Sequence, residues 1–241
     1  MKKFFCALLA CALCATTAFA FAGCGCSDNS KSNKKVQPGY EVPTTEPDLK
    51  DDQFGYFILS NNELMITRYD GDSQDIKIPE TFNNYTVTVI GNSVFQQKKL
   101  KSIEIPDTVT EIQDYCFASN QDLKTVKMSK NVKKIGADAF FNCPALESIE
   151  LPETIESVGV YAFTGTGISS VTIPDSKTFT SIDQFTFSEC QNLKEVKLAG
   201  SVTNIADNAF NACPNKIKII APTGSYGINY AKQHDFDFEE I

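Results

Sequence analysis

Six times along this chain an aliphatic residue is followed five positions later by phenylalanine: Ile90 and Phe95, Ile112 and Phe117, Ile135 and Phe140, Val158 and Phe163, Ile182 and Phe187, Ile205 and Phe210. Successive copies start 22, 23, 23, 24 and 23 residues apart. A second pattern runs in phase with the first. Leu100-x-x-Ile103-x-Ile105 recurs as Leu123, Val126 and Met128, as Leu146, Ile149 and Leu151, as Ile168, Val171 and Ile173, and as Leu193, Val196 and Leu198. An alternating apolar pair marks a short strand with one buried face. Pro106, Pro152 and Pro174 end that strand where the ladder needs no donor. Val109, Val132, Ile155, Phe179 and Val202 add one more inward position per copy. A unit this small cannot bury its own Leu, Ile and Phe, so the copies must stack and cover one another.

The period falls in the 20–29-residue range of leucine-rich repeats. The expected fold is an α/β leucine-rich-repeat solenoid of about six stacked rungs of 22 to 24 residues, with short parallel strands and short helical turns, capped at both ends. The block Gly136-Ala137-Asp138-Ala139-Phe140 predicts one such helical turn, with a small residue beside the Phe. At about 4.8 Å per rung, six rungs make a core of roughly 29 Å.

Three blocks carry a resemblance to the BspA-like class of bacterial leucine-rich repeats: Ile135, Gly136, Ala139 and Phe140; Asn142, Cys143, Pro144 and Leu146; Ile149, Leu151 and Pro152. The resemblance covers about residues 54–241. It implies an N-terminal hairpin cap over 53–88, repeats over 89–221 and a C-terminal cap over 222–241. Ile66 to Gly71 look like the first cap; Gly224-Ser225-Tyr226, Tyr230-Ala231-Lys232 and residues 236–241 look like the second. The fourth rung departs from the pattern. One residue is missing after Phe163 and two extra precede Ile182, around Lys177 to Phe179, so a local bulge is expected there.

The N-terminus reads as an address. Lys2 and Lys3 precede an uncharged apolar run from Phe4 to Phe21, followed by Ala22-Gly23-Cys24. Charge, apolar core and small residues in that order mark a secretion signal over residues 1–23. Ala22-Gly23-Cys24 resembles the lipobox of bacterial lipoproteins, which implies diacylglycerol on the Cys24 sulfur; Phe21 stands where that family usually has Leu. Cleavage after Ala18-Phe19-Ala20 or Ala20-Phe21-Ala22 and an uncleaved membrane helix are the other readings. All three place the rest of the chain outside the cytoplasm, and the first tethers it to a membrane or cell surface. Residues 24–52 read as the lipidated cysteine and a flexible tether, poor in apolar residues and stiffened by Pro38, Pro43 and Pro47.

Composition limits the partners. The net charge is −8, and −10 once Lys2 and Lys3 are removed with the leader. An acidic surface is repelled by phosphate backbones and by anionic lipid, so nucleic acid is not expected and membrane contact is expected only through the lipid anchor. With one histidine and no tryptophan, no nucleophile acquires a histidine partner. No cofactor, metal or catalytic residue is expected.

Several residue groups invite a sharper reading. Cys143, Cys190 and Cys213 each lie three residues after a core Phe. Export permits a Cys190–Cys213 disulfide; a column of buried free thiols is the preferred reading, because the resemblance implies cysteine there as core filler. Cys116 also reads as packing. Asp70-Gly71-Asp72 and Asp75 suggest calcium, but Thr81 stands where the twelve-residue loop needs Glu, so a tight turn is expected. His234 reads as a solvated cap residue. The outward strand residues Glu104, Lys127, Glu150, Thr172 and Lys197 predict a self-neutralised ladder.

Two residues before the core Phe stand Tyr115, Asp138, Tyr161, Phe185 and Asn208. If Tyr161 and Phe185 point outward, they form with Tyr115 an aromatic ledge for a peptide or a sugar; if they tuck under the turn they are packing. The expected function is a cell-surface lipoprotein that displays its repeat surface to an extracellular protein or glycan, since some relatives are adhesins. The alternative is a structural envelope module or assembly partner with no soluble ligand. An enzyme is the least expected.

Overall fold

The computed structural model describes residues 46–241. The signal segment, Cys24 and most of the proposed tether lie outside these residues. Among the described residues, no helix is long and apolar enough to cross a membrane.

The repeats wind into a leucine-rich-repeat β-solenoid of about eight turns, two more than the six Phe-bearing copies. Each turn has three sides. The first side is the strand of the alternating apolar pair, as in Ser102–Glu104, Thr125–Lys127, Ser170–Ile173 and Glu195–Leu198. These strands pair in parallel and in register, so Val171, Val196, Ile219 and Phe238 form one column. The second side is a two-residue strand that ends on the aliphatic residue of the Phe motif. Ile90, Ile112, Ile135 and Val158 align there in parallel.

The third side carries the phenylalanines, and here the expected helical turns are corrected. The only described α-helix is Tyr226–Gln233, near the C-terminal end. Each Phe instead sits in an irregular turn; Phe210 has one left-handed neighbour, Ala212, and the first five are flanked by two, such as Asp138 and Asn142 around Phe140. The φ of +55° at both breaks the helical path. Single turn bonds such as Phe141 to Asp138 alternate with bonds to the neighbouring rung: the Phe95, Phe117, Phe140 and Phe163 amides donate to the carbonyls of Cys116, Ala139, Ala162 and Thr186 at 2.8–2.9 Å. Short rung-to-rung spacing thus wins over local helix, because every amide turned along the stack finds an acceptor in the next copy.

The core is an aromatic column. Phe95, Phe117, Phe140, Phe163, Phe187 and Phe210 stack with centroids 5.1 to 5.9 Å apart and planes within 17° of parallel. Around it the aliphatic residues of both strand sides are almost fully buried, except Val126 and Met128, which are partly buried. Phe54 and Tyr69 of the antiparallel hairpin Phe54–Ile58 and Glu63–Tyr69 stand at one end of the column. Tyr230 and Phe236 stand at the other.

Residues 46–52, assigned from sequence to the tether, belong partly to the fold. Leu49–Lys50 pairs antiparallel with the hairpin. Asp48 accepts the Ile58 amide at 2.8 Å, and Asp51 accepts the Phe54 amide and the Tyr56 hydroxyl. Buried acceptor demand in the hairpin orders this polar stretch.

The irregular fourth rung parts both ladders. On the first side the sheet splits into Asp75–Lys77, Ser102–Glu104 and Thr125–Lys127, and a second set that starts at Ser170–Ile173. The segment of Ile149 and Leu151 lies between them, outside either sheet though still buried. The residue missing after Phe163 draws Gly167 hard against Pro144, where a Cβ would lie 2.1 Å from the carbonyl oxygen. On the second side the ladder divides between Ser157–Val158 and Ser181–Ile182, at the two extra residues. A cleft of about 110 Å³ opens there, lined in part by Glu156, Val158, Phe179 and Asp183.

Candidate binding surface

The turn side positions the aromatic residues singled out from sequence. Tyr115, Asp138, Tyr161 and Phe185 occupy one place in four successive rungs, each with a φ between +55° and +59°. None of the four is buried, so all reach the surface of the turn. Tyr115 is 43% exposed, Tyr161 37% exposed and Phe185 half-buried. The Tyr161 and Phe185 rings stack 4.8 Å apart and 4° from parallel. Their separation matches the rung spacing, so each covers a face of the other and both turn their rims outward. Phe141 and Val160, exposed on the same side, extend the apolar surface, and neither was singled out from sequence. Their signal was a large apolar residue at repeat positions that elsewhere hold Gln96, Thr164 and Ser188, or Asn92, Asp114 and Gln184.

The row is electrostatically incomplete. The Asp138 charge beside it, helped by Asp114, holds the Tyr115 phenol above its ordinary pKa. Burial raises the Asp138 carboxyl, with Asp114 acting in the same direction and the Tyr115 hydroxyl against it.

The strand side behaves differently. Lys127 and Lys77 reach Glu104 at 2.8 and 3.5 Å, so the expected charge ladder forms over these rungs. It does not extend to Glu150, whose segment has left the sheet. Lys127 holds the Glu104 carboxyl below its ordinary value. Solvent and salt screen these exposed pairs, so they add little to stability.

The remaining candidates are structural. Cys116, Cys143, Cys190 and Cys213 are free thiols. The last three donate to the carbonyls of Phe117, Phe163 and Phe187 in the preceding rung at 3.2–3.3 Å. Asn120 holds the same place one rung earlier and donates to the Phe95 carbonyl. The cysteines therefore fill space and satisfy a buried acceptor. Burial pushes the Cys143 thiol up to about 12. The Cys213 thiol and then burial push up that of Cys190. Asp70 pairs with Arg68 at 2.7 Å, and Asp75 accepts from Ser102. His234 stacks on Tyr230 with centroids 4.2 Å apart and lies 3.5 Å from Asp207.

Known proteins share this fold. A leucine-rich-repeat protein from Bacteroides ovatus is 24% identical with a TM-score of 0.55, over 73% of this chain and 56% of that one. The T. pallidum leucine-rich-repeat protein is 18% identical with a TM-score of 0.61, over 79% and 97%. The pneumococcal vaccine antigen PcpA is 20% identical with a TM-score of 0.53, over 75% and 51%. The chain thus spans about half the length of the first and third. No curated protein matches it. Proteins with this repeat are typically bacterial surface or exported proteins, and are generally binding or scaffold modules rather than enzymes. The BspA-type leucine-rich-repeat region matches residues 72–179 and 168–237 in six copies, well over half of the sequence, and the chain belongs to that family.

Proposed function

We propose that this chain is a lipid-anchored binding module of the cell surface, held by Cys24, which uses the turn side around Tyr115, Tyr161 and Phe185 to hold an extracellular protein in the manner of an adhesin. The observation that carries the reading is the cost of these three residues. Bulky side chains in left-handed backbone are uncommon and strained by roughly 1–2 kcal/mol each. Burial does not offset that strain, because two of the three rings are more than a third exposed. Large exposed apolar rows on a repeat protein are typical of contact surfaces. Rings that already cover each other's faces favour a protein over a sugar, which stacks on an open ring face.

The test is binding of the full chain to arrayed extracellular matrix proteins, beside a Tyr161→Ala, Phe185→Ala variant of unchanged circular dichroism. Saturable binding that the variant loses supports the reading. Binding that survives moves the contact off this row. Absence of binding favours a structural envelope module. In cells, Cys24→Ala should release the protein from the membrane fraction, because two acyl chains anchor firmly and none remains.

A further inference from the structure

From the second Phe copy onward the turn side carries acids and no bases, whereas the first copy has Lys98. Consider the turn segments of the second to sixth Phe copies: residues 113–120, 136–143, 159–166, 183–190 and 206–213. They contain Asp114, Asp138, Asp183, Glu189 and Asp207, and no lysine, arginine or histidine. On the strand side acids and lysines alternate and pair, as in Lys77, Glu104 and Lys127. Asp207 has His234 nearby at 3.5 Å. Among the described residues, Asp114, Asp138, Asp183 and Glu189 have no basic partner within ion-pair distance. Asp114 receives only the Ala137 amide, at 2.7 Å.

We infer that the segment bound by the turn side is cationic: an extended protein strand that lays arginine side chains against Asp114 and Asp138 and over the ring of Tyr115. This rests on the reading of the turn side as the binding face and names the chemistry of its partner. Three features converge on a guanidinium. Asp114 and Asp138 stand in adjacent rungs with Tyr115 between them, so carboxylate and aromatic surface are offered together. Arginine exploits both at once, by charge-assisted hydrogen bonds to carboxylates and by cation–π contact with rings. The repeat presents a new acid or ring about every 4.8 Å, and the long, flexible arginine side chain can take up the mismatch with the roughly 6.7 Å between same-face residues of an extended segment. Burial raises the Asp138 carboxyl and the Asp138 charge raises the Tyr115 phenol, and a cation set beside them would favour the ionised forms of both.

The test uses the full chain with two synthetic probes of about ten residues, one alternating Arg with Gly and one alternating Glu with Gly. Binding is read by titration calorimetry at low and high salt. The Arg peptide should bind and the Glu peptide should not. Raising salt from about 50 to 300 mM should weaken binding severalfold, because exposed charges are screened over about 10 Å. Asp114→Asn with Asp138→Asn should weaken it about tenfold, a loss of near 1.4 kcal/mol. Asparagine tolerates the left-handed backbone at 138, so that variant keeps its fold. Glu104→Gln, on the strand side, should leave binding unchanged. Failure of the Arg peptide to bind, equal binding of both peptides, or indifference to the two Asn substitutions overturns the inference. If matrix binding still disappears in Tyr161→Ala, Phe185→Ala while the Asn variant behaves like the native chain, the turn side remains the binding face and only its cationic partner is rejected. If neither variant alters any binding, both readings fall.

Discussion

Tyr161 and Phe185 stack in parallel on the outside of the solenoid with almost the geometry of Phe163 and Phe187 on the inside, at 4.8 and 5.5 Å with planes 4° apart in both pairs. The difference lies in what surrounds them. Phe187 is 1% exposed. Phe187→Ala should therefore cost about 3–5 kcal/mol. Replacing Tyr161 and Phe185 together by alanine should cost less, about 1 kcal/mol for the stack plus the partial burial of Phe185. Urea midpoints of the two variants check the contrast, and a double variant as destabilised as Phe187→Ala would mean that the outer pair is packing.

Asn120 is fully buried and makes three bonds that no apolar residue could replace. Its Oδ1 accepts the Leu100 amide, and its Nδ2 donates to the Phe95 and Phe117 carbonyls. Asn120→Ala leaves the buried Leu100 amide without a partner, while the Phe117 carbonyl keeps the Cys143 thiol and the Phe95 carbonyl the Lys98 amide, so a loss of about 1–3 kcal/mol is expected. Asn120→Cys, the side chain of the equivalent rungs, should recover part of it through the Phe95 carbonyl. Thermal melts of both variants test the ranking.

Alkaline pH should act through the thiol column. Unfolded Cys143 ionises near 9.0, whereas in the fold burial raises it to about 12. Above 9 the unfolded state loses a proton that the folded state keeps, so stability falls as pH rises, until the folded group titrates near 12. The slope from one such group is about 1.4 kcal/mol per pH unit. Cys143→Ala should flatten the decline by roughly that amount, measured as the urea midpoint at several pH values between 8 and 11. An unchanged slope would place the alkaline sensitivity elsewhere.

Gly167 is held by approach rather than by backbone angle. A Cβ there would meet the Pro144 carbonyl oxygen at 2.1 Å and the Leu146 carbonyl oxygen at 3.3 Å. Both are main-chain atoms, which cannot swing aside. Gly167→Ala should cost more than about 2 kcal/mol, of the order of an overpacked core. Gly200→Ala, whose Cβ would meet only Pro222 at 3.7 Å, should be near neutral. Paired denaturation curves compare them.

The stack was legible because its evidence is periodic. Leu100, Ile103, Ile112 and Phe117 repeat in phase with later copies, and residues at one repeat position must share one environment. The same logic foretold the irregular rung, since one missing and two extra residues cannot keep both ladders in register. The helical reading of Gly136 to Phe140 failed for a physical reason. Ala, Asp and Ala favour helix or turn locally, but the amides of Asp138 and Phe140 bond to Val160 and Ala162 in the next rung. Composition likewise made residues 46–52 look unstructured, although Asp48 answers the Ile58 amide ten residues away and Asp51 the Phe54 amide and the Tyr56 hydroxyl.

For the candidate surface, sequence determined which residues share a row: Tyr115, Asp138, Tyr161 and Phe185 follow from counting back from each Phe. It determined the charge pattern too, since acids without bases from the second copy onward can be read from the letters. Sequence left open whether the rings point inward or outward. That depends on the path of the turn, which a 23-residue period does not encode. The rung-to-rung hydrogen bonds set it, and on that path none of these residues is buried. Only the tertiary stack therefore decided that the aromatic row faces solvent, and that Asp114 and Asp138 face it without a cation of their own.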